Sequence, residues 1–233
     1  MCRKCSKFAA DFNMREYALA FGNAHEIKDK RTIHKDPKDS KDIKDLIKKT
    51  KNMEVLIPNH GNYKKLISYQ KANVIFCLTY YFIEHFLQKG DRTYDQMLQA
   101  ARSGKQNIIE GCAASSTSSK TEIKLINVAK ASLHELLEDY EDYLKTRNHR
   151  QWEEGSAELE AMRELGKQHN DTDFFMGLAE TRPPETIANM CIVLIKQADY
   201  LLYKQLQRLS ENFAKEGGFS ERMYRIRKEI KKE

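Results

Sequence analysis

The chain has 233 residues, 40% of them hydrophobic and 32% charged, with a formal net charge of +6. That apolar content supports one main core and a small additional element. No apolar run reaches the roughly 18 to 20 residues of a membrane-spanning helix, since the longest, Ala72 to Ile83, is interrupted by Asn73 and Thr79. The first residues carry no apolar signal-like core, and the cysteines at 2, 5, 77, 112 and 191 are odd in number. Both features argue against a secreted disulfide framework and for a reducing cytoplasm without a membrane.

The positive charge is unevenly placed. Residues 1 to 53 hold 14 Lys/Arg against 8 Asp/Glu, and residues 54 to 233 hold 26 of each. The run Lys28 to Lys51 has only Ile33, Ile43, Leu46 and Ile47 as large apolar residues, too few to offset the entropy of ordering it. Residues 1–53 therefore read as a mobile, Lys-rich, largely disordered N-terminal extension, with a transient helix at 39–50. Met53 directly precedes Glu54-Val55-Leu56-Ile57-Pro58 and is a candidate start of translation.

Helical periodicity then takes over. A first helix is predicted from Tyr63 to Lys89, ending at Gly90 as its cap; beyond Ala72 its apolar residues occupy nearly every side. A second helix should begin at a capping box of Thr93 with Gln96 and run to about Gly111. Its inward stripe, Met97, Ala101, Gly104 and Ile108, is small in the middle, and a mid-helix Gly costs roughly 1 kcal/mol relative to Ala. A neighbouring helix must come close there. The third helix should start at a second capping box, Ser119 with Glu122, and run to about Arg147. Its seam of Ile126, Ala129, Leu133, Leu136, Tyr140 and Leu144 alternates steps of three and four. The fourth should open at Pro183-Pro184, tolerated only in a first turn, and continue to Gly217. Between the third and fourth, residues 148–182 read as an insertion, with one short acidic helix over Ser156 to Gln168 and Phe174 and Phe175 tucked onto the core. No strand pattern and no internal repeat is present.

These elements predict an all-α, antiparallel up-down four-helix bundle at 54–217, with that helical insertion and a basic C-terminal helix at 218–233. The first and fourth helices are apolar all round where a bundle needs one stripe each. Their surplus, Ile75, Phe76, Tyr80, Phe82, Ile192, Val193 and Ile195, predicts a homo-oligomer interface.

Sites of catalysis are not found. No Glu-x-x-His pair suited to a di-metal bundle exists. Cys2-Arg-Lys-Cys5 has the spacing of half a zinc site, but no second CxxC or HxxxH supplies the other ligands. Gly104-Lys105-Gln106 lacks the remainder of a phosphate-binding loop, and no Gly-x-Ser-x-Gly elbow occurs. The carboxylates Glu135, Glu138, Asp139, Glu141 and Asp142 fall on helical positions that make a solvated acidic face. The expectation is a non-enzyme with no metal and no cofactor.

The segments Gln99-Ala100-Ala101-Arg102-Ser103 and Asn107-Ile108-Ile109-Glu110-Gly111, followed by a Ser/Thr-rich helix start and by Ala129, Ser132, Glu135 and Leu136, resemble the four-helix-bundle proteins encoded by 23S rRNA intervening sequences. These bacterial proteins are similar in turn to the accessory variability determinant of diversity-generating retroelements. The resemblance spans 54–231 loosely and 63–146 with 183–209 more firmly. The continuation past Gly217-Gly218 matches a subgroup with a suffix. Two departures stand out: Cys112-Ala113-Ala114-Ser115 replaces a stretch where an aromatic is common, and 148–182 is additional. The resemblance implies a homopentameric ring that contacts RNA or DNA and, in the retroelement relatives, a reverse transcriptase or other protein partner. The residues that would touch nucleic acid here are Arg102, Lys105, Lys120, Lys124 and Lys130, with Arg222, Arg225 and Arg227 of the tail. The alternative is a ring-shaped scaffold that docks a protein by its acidic flank and binds no nucleic acid.

Overall fold

A computed structural model describes residues 62–231, and among them every regular element is helical. The expectations for residues 1–53, for Cys2 and Cys5, and for a start at Met53 lie outside the described residues. Seven α-helices are described: α1 (Ile67–Phe86), α2 (Arg92–Ala114), α3 (Ser119–Thr146), α4 (Ala157–Gln168), α5 (Thr172–Ala179), α6 (Pro184–Glu216) and α7 (Phe219–Ile230). A 3-10 turn, Tyr63–Lys65, precedes α1.

The helix ends follow local chemistry, with three departures from the sequence reading. The first helix is shorter than 63 to 89. Asn62 caps the 3-10 turn, accepting from the Lys64 amide at 3.1 Å, and Leu66 is extended, so α1 begins only at Ile67. At its other end Leu87 turns extended and is buried, while Gly90, at φ 100°, lies in the following turn. The cap of α2 is Asp91, which accepts from the Thr93 amide at 2.9 Å, so the expected box of Thr93 and Gln96 does not form. The α3 cap is Ser118, whose backbone is extended as a cap requires and whose Oγ accepts from the Thr121 amide at 3.2 Å. Ser119 is already helical.

The stops are equally local. Past Thr146, Asn148 sits at φ 54°, the Asn148 amide donates to Lys145 at 3.3 Å and the His149 amide to Leu144 at 2.9 Å. This pair of bonds is the Schellman ending. Pro183 and Pro184 open α6 as expected, and Gly217, at φ 73°, ends it.

In the packing, α1 contacts α2 and α6, and α3 contacts the same two helices. Side-chain pairs give the directions: Glu84 with Tyr94, Ser103 with Ser132, Thr79 with Tyr140, Ser68 with Gln205 and Lys130 with Asp199. Each chain-adjacent pair runs antiparallel, so α1 and α3 start where α2 and α6 finish. The whole α3 seam and the α2 stripe are buried. A Cβ added at Gly104 would lie 2.7 Å from Leu133 Cδ2 and 3.6 Å from the Ala129 carbonyl, which is the close approach that the small stripe demanded.

The insertion covers part of the surplus apolar faces. It holds two helices rather than one: α4, capped by Ser156, packs on α6, and α5, capped by Asp171, packs on α1. Leu159, Met162, Phe175 and Ala179 join the core, with Trp152 and Phe174 against it. In the whole packing, Ile75, Phe82 and Ile195 are 0% exposed, and Ile192 and Val193 only 3%, with Phe82 set against Tyr140 and Tyr143 of α3. These five belong to the interior of a single copy. Of the interface set, only half-buried Phe76 and Tyr80, 45% exposed, retain surface.

Lys71 ties the insertion to the core. It is 1% exposed and donates from Nζ to the Gly166 and His169 carbonyls at the end of α4, a cation placed at a helix C-terminus where free carbonyls face out. Burial pulls its amine down to about 8.

Candidate nucleic-acid interface

The antiparallel order gathers bases that are far apart in sequence. The start of α1 brings Lys64 and Lys65, and the start of α3 brings Lys120 and Lys124. The C-terminal part of α6, which outruns the other helices, brings Lys204, Arg208 and Lys215 to the same end. Lys120 and Lys124 are exposed and one helical turn apart on α3. Between them Glu122 is half-buried, and burial pushes its carboxyl up to about 7, so near neutral pH it cancels only part of their charge.

The other expected residues separate into different situations. Arg102 is exposed on α2. Lys105 is half-buried with Nζ 3.7 Å from the centre of the Phe76 ring, a cation–π contact that holds it against the core. Lys130 does not project: its Nζ lies 2.7 Å from Asp199 Oδ1, and His134 Nε2 lies 2.6 Å from the same oxygen. On α7, Arg225 donates from Nη1 to the Glu216 carbonyl at 3.0 Å, Arg222 is half-buried and Arg227 is exposed. The tail therefore partly serves the junction between α6 and α7.

The sequence reading does not single out the aromatic residues at this end. Tyr200 is 60% exposed and Tyr203 46%, with Lys204 Nζ 5.7 and 6.0 Å from their ring centres. Tyr224 of α7 is 68% exposed. Exposed aromatics interleaved with bases can stack bases while the cations track phosphates. The signal is present in the spacing Tyr200, Tyr203, Lys204, Arg208, where α6 loses its all-round apolar character, but it is masked by the continuity of one long helix with a core face.

The opposite half of α3 is acidic. Glu135, Glu138 and Asp142 are exposed, and Asp139 is held above the usual carboxylate range by burial and then by Asp142 and Glu135. Glu141 instead accepts from Gln151 Nε2 at 2.9 Å and faces Lys196 at 3.6 Å. Among the described residues no cluster of three or more His, Cys, Asp or Glu is arranged to hold a metal. Cys77, Cys112 and Cys191 are thiols; Cys191 is fully buried beside Tyr140, and desolvation pushes it up to about 12. No described helix is long and apolar enough to cross a membrane. No family model, curated protein or solved structure matches the chain.

Proposed function

We propose that this protein is a non-catalytic accessory protein that binds the backbone of RNA or DNA at the end shared by the starts of α1 and α3 and the finish of α6. The observation that carries the reading is the antiparallel packing, which brings Lys64, Lys65, Lys120 and Lys124 to the same end of the helices as Lys204, Arg208 and the exposed Tyr200 and Tyr203. In this reading α1, α2, α3 and α6 form an up-down four-helix bundle, the protein works in the cytoplasm, and copies assemble as a homo-oligomer. Its resemblance to the intervening-sequence proteins makes a pentameric ring the expected assembly and a reverse transcriptase a candidate partner. A ring would multiply one modest basic end into a strong one, because phosphate contacts add through counterion release.

The test is a binding titration with single-stranded and duplex RNA and DNA at two salt concentrations. Lys120→Ala with Lys124→Ala should weaken all sequences alike and lower the salt slope by about 2, roughly 0.7 to 0.9 for each phosphate that is no longer neutralised. Absence of binding at low salt by the unmodified protein refutes the reading. The acidic half of α3, where Asp139 is crowded by Asp142 and Glu135, favours the second reading, a scaffold that docks a basic protein segment and binds no nucleic acid.

A further inference from the structure

A cavity of about 540 Å³ lies between the insertion and the core. Its walls follow helical stripes. From α6 come positions 189, 192, 193, 196, 197, 200 and 201, successive steps along one face; from α4 come Leu159, Arg163 and Gly166, and from α1 Ile67 and Lys71. The twelve steps from position 189 to position 201 of α6 span about 18 Å at 1.5 Å per residue. Set along that length of α6, the space is an elongated channel. Towards Trp152 its apolar lining is Leu159, Ile192 and Val193, beside Gln151, Glu154 and Asn189.

The polar groups meet around Gly166 to Asn170. Lys71 lines the channel and spends two N–H donors on the Gly166 and His169 carbonyls; an ammonium has three. Among the described residues no carboxylate pairs with it. Gln197 is fixed by its Nε2 bond to the Arg163 carbonyl at 2.8 Å, which leaves Oε1 as an acceptor, and that oxygen is buried with no partner. Asn170 Oδ1 is likewise buried without one. Asn189, at the far end, is satisfied by Trp152, Arg150 and Glu185. One end of the channel thus holds one spare donor and two spare acceptors, and the rest of the wall sets Leu159, Ile192, Val193 and Trp152 among Glu154, Lys167 and Lys196. Unsatisfied buried polar groups are costly, about 1 to 3 kcal/mol each.

We propose that this channel binds a medium-chain acyl amide, with the chain laid along Val193, Ile192 and Leu159 towards Trp152. The amide carbonyl accepts from Lys71, and its N–H donates to Gln197 Oε1 or Asn170 Oδ1. A head that only accepts leaves the two oxygens orphaned, and one that only donates meets the Lys71 ammonium head-on. The site shares Tyr200 with the proposed nucleic-acid surface but does not rest on that reading.

The chain has one tryptophan, and it lines this channel, so its fluorescence reports occupancy directly. The unmodified protein is titrated with four C8 probes: octanamide, octanoate, octylammonium and octyl sulfate. Octanamide is expected to shift Trp152 emission with one-to-one saturation and to bind at least tenfold more tightly than the other three. Val193→Phe, which fills the channel, should abolish the response, and Lys71→Met should weaken it at least tenfold. Equal affinity for all four probes, preference for a charged head, or no saturable change overturns the proposal. So does octanamide binding that survives Val193→Phe in a protein whose circular dichroism is unchanged. The probe comparison needs no variant, so it decides the matter even where a substitution unfolds the chain.

Discussion

Lys130 Nζ and Asp199 Oδ1 lie 2.7 Å apart, joining the middle of α3 to α6 across 69 positions of sequence. Both side chains are about a quarter exposed, so the pair is neither a loose surface contact nor a dry interior one. Its consequence is that a base counted towards the nucleic-acid surface is locally neutral. Lys130→Ala should therefore leave nucleic-acid affinity within about twofold of the unmodified protein. Its stability cost should be no more than about 1 kcal/mol, the upper end for exposed pairs. A titration showing that Lys130→Ala weakens binding as much as the Lys120 and Lys124 substitutions would place Lys130 on the interface after all.

Gly104→Ala sets two effects in opposition. Helix propensity gains roughly 1 kcal/mol, while the new methyl would lie 2.7 Å from Leu133 Cδ2, and overpacking a well-filled core typically costs about 1 to 3 kcal/mol. Leu133 is fully buried and has little room to yield, so crowding should win and the midpoint of denaturation should fall. Leu133→Ala on its own removes core volume and should cost roughly 2 to 5 kcal/mol. Combined with Gly104→Ala, the loss should be smaller than the sum of the two. Strict additivity in that double-mutant cycle would show that the two positions do not press on each other.

Glu122 should make stability depend on pH in a defined window. Its carboxyl is raised from 4.5 to about 7 in the folded chain, by burial. Below pH 4.5 it is protonated in both states and imposes no penalty. From pH 4.5 upward the unfolded chain ionises freely while the folded one resists carrying a half-buried charge, so stability is lost as pH rises from 4.5 through 7. Glu122→Gln should therefore raise the melting temperature relative to the unmodified protein at pH 8 and make little difference near pH 4. A gain of the same size at both pH values would assign the effect to packing rather than to charge.

Ile75→Asp should unfold the protein whatever its oligomeric state, because one copy alone buries that side chain completely. Burying an uncompensated carboxylate costs several kcal/mol. Circular dichroism should show loss of helix. Tyr80→Ser, at an exposed position, should leave the fold intact, and any change it causes in mass by light scattering would map a surface between copies. A folded, dissociated Ile75→Asp variant would restore that residue to an interface.

The helical character, the α3 seam and the opening of α6 are legible in the chain by itself because each is local. Steps of three and four put Ile126, Ala129 and Leu133 on one face, and Pro183-Pro184 can only begin a helix. The choice between neighbouring caps is not, since Asp91 rather than Thr93 and Ser118 rather than Ser119 are selected by which residue the turn leaves extended. Apolar surplus on α1 and α6 is equally plain, but what covers it depends on where 148–182 folds. Only the tertiary structure lays α4 on α6 and α5 on α1, sets Phe82 on Tyr140 and Tyr143 of α3, and leaves Ile75 and Ile195 without surface in one copy. The charges follow the same logic. Composition counts Lys130 and Lys105 as free bases, yet long-range packing joins one to Asp199 and sets the other over Phe76. It also buries Lys71 between α1 and the last carbonyls of α4. Periodicity reports which face of a helix is apolar; which partner meets a given polar atom is decided by contacts between residues distant in the chain, and no local pattern encodes them.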